Sequence, residues 1–85
     1  MIVHRGRRII SDKDLRKLRK LCDQWVEQNR SHKEDYVKWR EIIRVKHMPP
    51  LVNELLSLIE MTDKCNEIIM NATKLLDRAL LSGMF

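Results

Sequence analysis

The feature that most limits this chain is one uninterrupted run, MPPLVNELLSLIEMTDKCNEIIMNATKLLDRALL, Met48–Leu81. Two adjacent prolines open it. Proline lacks an amide hydrogen and disfavours a helical residue before it, so any preceding helix stops there. Pro50 itself suits the first turn of a new helix. Nothing further along breaks a helix until Gly83, the usual C-terminal stop. The spacing therefore predicts one helix over residues 50–82, about 45–50 Å long at 1.5 Å per residue.

That helix is greasy on more than one side. Leu51, Leu55, Leu58, Thr62, Cys65, Ile69, Leu76 and Leu80 form a primary stripe. Met61, Ile68, Ala72, Leu75 and Ala79 form a second, about 80° round the wheel at 100° per residue. Asn53, Ser57, Glu60, Lys64, Glu67, Asn71, Lys74 and Arg78 share a narrow polar face.

Upstream, the sequence reads as a tail and two shorter helices. Residues 1–10, MIVHRGRRII, have no helical period and read as a flexible basic arm. SDKD at Ser11–Asp14 has the pattern of a capping box, so a first helix is predicted over residues 11–29. Its apolar stripe is Leu15, Leu18, Cys22, Trp25 and Val26. SHKE at Ser31–Glu34 repeats the pattern and predicts a second helix over residues 31–46, with Tyr36, Trp39 and Ile43 on its main stripe. Residues 11–85 are read as a single all-α domain: two short helices against one long C-terminal helix. Helices of that length cover one stripe of the long helix over part of its extent and leave Met61, Ile68, Ala72, Leu75 and Ala79 open. A large open apolar band is unusual on a soluble monomer, so the expectation is a homo-oligomer, in its simplest form a dimer, with those five residues as its seam. The alternative is a long helix bent at Thr62–Asp63 and folded on itself.

Chemistry is sparse. The two glycines, Gly6 and Gly83, form no phosphate-binding loop. His4, His32 and His47 are far apart, and no Cys-x-x-Cys or His-x₃-His spacing suggests zinc. Cys22 and Cys65 read as reduced thiols on apolar stripes, although spacing alone does not exclude one bridge. The expectation is a non-enzymatic protein without a cofactor or metal. It would be cytoplasmic, because no signal peptide or long uncharged apolar run is present.

Charge is the stronger signal. Residues 1–50 hold 14 Lys/Arg against 7 Asp/Glu, and residues 51–85 hold 3 against 5. Arg5, Arg7 and Arg8 lead into Lys13, Arg16, Lys17 and Lys20, where cations near a helix N-terminus oppose its dipole. A bound anion would relieve that opposition, while a purely solvated face would account for the same residues. Lys38, Trp39 and Arg40 in YVKWRE are a secondary candidate, since aromatics among cations stack on bases. The same aromatics at helical spacing also read as core. The expected partners are a second copy of the chain and an anionic macromolecule, with a protein ahead of nucleic acid and no membrane. A nucleic-acid-binding regulator is the alternative.

RRIISDKDLRKLRKL at residues 7–21 and LLDRALLSGMF at residues 75–85 resemble small phage proteins that sequester cyclic oligonucleotides made by bacterial anti-phage signalling. Those are helical-hairpin chains that assemble into oligomers. The resemblance implies an anti-defence inhibitor, or a sponge for small anionic nucleotides. YVKWREIIRVKHMPP, residues 36–50, has no counterpart in that family, and the aromatic typical after the first arginine is missing.

Overall fold

The structure is a computed structural model that describes residues 12–82. It is all-helical, as expected, but it has two helices rather than three. α1 spans Asp12–Arg44 and α2 spans Pro49–Ser82. The predicted cap Ser11, the arm 1–10 and the predicted stop at Gly83 lie outside the described residues.

The predicted boundary at residues 29–31 is absent: α1 runs straight through it. No glycine or proline lies between Asp12 and Arg44. Asn29, Arg30 and Ser31 each cost no more than about 0.7 kcal/mol in a helix interior. A capping box helps a helix begin but does not force one to end. Continuing the helix keeps its long contact with α2, which outweighs so small a local preference. An ion pair between Arg30 and Glu27 lies beside the predicted break.

The chain reverses between the helices. The amide of Lys46 donates to the Ile43 carbonyl (2.8 Å) and that of His47 to the Arg44 carbonyl (3.3 Å). His47 adopts the left-handed conformation with φ 59°. Histidine is among the non-glycine residues enriched there. The Met48 carbonyl then accepts from Leu51 (3.0 Å) and Val52 (3.1 Å), which starts α2 on Pro49.

α1 and α2 therefore form an antiparallel hairpin, each helix about 50 Å long at 1.5 Å per residue. On α1, Leu15, Arg19, Cys22, Val26, Asn29, Lys33, Tyr36, Arg40 and Ile43 are buried or half-buried. On α2, Val52, Leu55, Ile59, Thr62, Asn66, Ile69, Thr73, Leu76 and Leu80 are likewise. Both lines alternate steps of three and four, the 3.5-residue repeat of a coiled-coil seam. α2 stays helical through Thr62 and Asp63, so the bend considered from sequence does not occur. The Thr62 and Thr73 hydroxyls donate to carbonyls one turn back, Leu58 (2.7 Å) and Ile69 (3.1 Å).

The seam is more polar than the sequence reading implied. Asn29 Nδ2 donates to Asn66 Oδ1 (2.8 Å), and Asn66 Nδ2 donates to the Val26 carbonyl (3.3 Å). Such a pair fixes register, because a slip would strand both amides. Lys33 pairs with Asp63 (2.8 Å), and Arg19 with Asp77 (2.7 Å), at the same register. Among the described residues, Cys22, Val26 and Val52 are the buried hydrophobic side chains. Both cysteines are free thiols.

Candidate functional site

The hairpin sorts its side chains into two long sides and two ends. One long side is charged. The Arg19–Asp77 and Lys33–Asp63 pairs lie there, and Arg19 also reaches Asp23 (2.7 Å). Hydrogen bonds to Asp77 first and Asp23 second raise the guanidinium pKa of Arg19 still further. Its charge is permanent and already matched, so Arg19 acts as a strut. The groove beside Arg30, Lys33 and Asp63 is likewise lined by charges already paired.

The opposite long side is apolar. On α1, Leu18, Trp25, His32 and Trp39 lie about 60° round from the seam line Leu15–Cys22–Asn29–Tyr36 at 100° per residue. They adjoin the row Leu51, Leu58, Cys65, Ala72, Ala79 of α2. The contact of Asn29 Nδ2 with Cys65 Sγ (3.6 Å) marks that side. Met61, Ile68 and Leu75 lie just beyond the row and are 66%, 58% and 62% exposed. Trp25 is 41% exposed and Trp39 53%. The sequence spacing puts Trp25 on one apolar stripe with Cys22 and Val26, but the hairpin divides them: Cys22 and Val26 enter the seam, and Trp25 stays outside with Leu18.

The open end, where α1 begins and α2 finishes, is cationic. Residues 12–23 and 71–82 together carry seven Lys/Arg against four Asp/Glu, whereas residues 24–70 carry seven against eight. Of the predicted cluster, Lys13, Arg16, Lys17 and Lys20 are exposed at this end. Arg16 is spent on Asp12 (3.5 Å). Arg5, Arg7 and Arg8 lie outside the described residues. In the sequence Lys74 and Arg78 belong only to the polar face of the long helix. The antiparallel hairpin brings them to the same end as Lys13 and Lys17. No signal within either helix could have joined them, because their proximity follows from the chain reversal at His47. Lys13, Lys17, Lys20, Lys74 and Arg78 have no ion-pair partner among the described residues.

The secondary candidate Lys38–Trp39–Arg40 does not converge. Lys38 points outward, Trp39 lies on the apolar side, and Arg40 is half-buried in the seam, where its Nε has no hydrogen-bond partner among the described residues. Met61, Ile68, Ala72, Leu75 and Ala79, the expected seam between copies, all lie on the apolar side. Among the described residues no group of three or more His, Cys, Asp or Glu could hold a metal ion. No helix there is long and apolar enough to cross a membrane.

No curated protein and no solved structure matches the chain. Residues 18–76 match the family model described as Domain of unknown function (DUF8180). The match spans most of both helices and the turn, and leaves Lys13, Arg16, Lys17 and Arg78 outside it. On that match the chain belongs to the DUF8180 family.

Proposed function

We propose that this chain is a non-catalytic binding protein whose cationic open end docks on an acidic surface of another protein and blocks or sequesters it. The observation that carries this reading is the collection of Lys13, Lys17, Lys20, Lys74 and Arg78 at one end without ion-pair partners among the described residues. Over residues 24–70 the charges nearly balance, seven Lys/Arg against eight Asp/Glu. Lys13, Lys17 and Lys20 stand one turn apart on α1 and repel one another within the roughly 8 Å screening length of physiological salt, and an anionic partner removes that repulsion. Arg5, Arg7 and Arg8 precede this end in sequence and lie outside the described residues. The resemblance of residues 7–21 and 75–85 to phage sequestering proteins supports an inhibitor of a host defence or nucleic-acid-handling protein as its setting.

The test replaces Lys13, Lys17, Lys20, Lys74 and Arg78 together with glutamine. The wild-type chain, immobilised in bacterial lysate, should retain an acidic protein after nuclease treatment, and the variant should lose it. Helicity should be unchanged, because exposed charges of this kind contribute within about ±0.5 kcal/mol each. Retention that vanishes with nuclease and falls steeply with salt would assign the end to nucleic acid. Equal retention by the variant would make the cations a merely solvated surface.

A further inference from the structure

We propose that the apolar side of the hairpin is covered by a second copy of this chain turned end for end, so that the folded unit is a four-helix dimer with Cys65 at its twofold axis. The hairpin is one helical layer, 14 Å thick in its shortest dimension, and buries only Cys22, Val26 and Val52 among its described hydrophobic residues. Isolated chains of this size are marginal even with a proper core. Of the fourteen large hydrophobic side chains exposed in the hairpin, nine lie on this one side, including both tryptophans. Eighteen positions of α1 and α2 lie on that side once the row Asp14, Leu21, Gln28, Asp35 and Ile42 is counted, and three of them, Asp14, Asp35 and Glu54, are charged, in a chain that is 34% charged. A surface kept this free of charge is built to be covered.

Its size fits a second copy. Two helices about 45 Å long and about 20 Å wide together present roughly 900 Å². A standard stable interface needs about 800 Å² per partner. Its shape fits too. From the turn to the open end, the α2 row reads Leu51, Leu58, Cys65, Ala72, Ala79, so this row is bulky near the turn and slight near the open end. Such a taper is complementary to itself only when reversed. Reversal sets the alanines of one copy against the leucines of the other and leaves Cys65 facing its own counterpart. It also holds the two cationic ends at opposite extremes of the bundle, whereas same-end pairing would stack them.

This assembly is independent of the binding role of the cationic end, because the two surfaces share no residue. The full chain should sediment at equilibrium as twice its 10.2 kDa mass at micromolar concentration. Leu75→Asp should halve that mass, and Leu81→Asp, also apolar and exposed but off this side, should leave it unchanged. Mild copper-catalysed air oxidation of the dimer should yield a covalent pair through Cys65, lost in Cys65→Ser and retained in Cys22→Ser. A folded wild-type monomer, or a Leu75→Asp chain with the wild-type mass, overturns the dimer. A dimer that forms no Cys65 cross-link overturns the end-for-end arrangement.

Discussion

His32→Pro should destabilise the fold by about 3 kcal/mol or more, because proline in a helix interior removes a backbone hydrogen bond and clashes with the carbonyl four residues back. Position 32 lies well inside α1. Were Ser31 instead the cap of a separate helix, position 32 would be its first residue, where proline is favoured. The same substitution thus has opposite consequences in the two architectures. Thermal unfolding followed by helicity decides between them: a large fall in midpoint is expected, and an unchanged or raised midpoint would restore a break at residues 29–31. His32→Ala is the control, since it removes the same ring and its contact with Tyr36 without the proline, and its midpoint should fall far less.

Val26→Asp should be as severe by another route. Val26 is one of the buried hydrophobic residues of the seam and stands beside the Asn29–Asn66 pair. Arg30, the cation that lines the same groove, is already held by Glu27, and an uncompensated buried charge costs about 3–5 kcal/mol. Whole small domains are held by roughly 5–15 kcal/mol, so much of the population should be unfolded at room temperature. Val37→Asp is the matched control: Val37 is exposed on the charged side, and its change should lie within about ±0.5 kcal/mol. Urea unfolding of the two variants at equal concentration measures the contrast. A Val26→Asp chain as stable as Val37→Asp would mean that the seam is not where the hairpin is held.

These substitutions bear on why part of the architecture was legible in the sequence and part was not. α2 could be read almost to the residue, because Pro49 and Pro50 fix its start and nothing inside it breaks a helix. The open apolar rows at Met61, Ile68 and Leu75 were visible for the same reason. The continuity of α1 was hidden by SHKE, a local signal for a helix start that tertiary contact overrides. The seam itself was hidden because Arg19, Asn29, Lys33 and Arg40 occupy it. An apolar-periodicity reading follows the greasier outer row, Leu18 and Trp25, and merges it with Cys22 and Val26. Along α1 of this hairpin the line that holds Arg19, Asn29, Lys33 and Arg40 faces inward while Leu18, Trp25 and Trp39 face out, which is the reverse of a self-sufficient monomer. Half of the cationic end, Lys13 to Lys20, was plain in sequence. Lys74 and Arg78 join it only through the chain reversal.

That reversal, and the straight α1 that precedes it, place every cation of the proposed docking surface at one end and the apolar rows on one side. The most direct test is a distance. Lys17 and Lys38 are exposed and lie three heptads apart, so they share one position of the 3.5-residue repeat of α1. Replaced by spin-labelled cysteines in a chain whose Cys22 and Cys65 are alanine, and diluted into unlabelled protein, they report one intramolecular separation. A continuous α1 places them about 31 Å apart at 1.5 Å per residue. Pulsed dipolar spectroscopy should show a single narrow distribution near that length. A distribution centred below about 20 Å, as two helices packed side by side would give, contradicts the hairpin and the surfaces built on it.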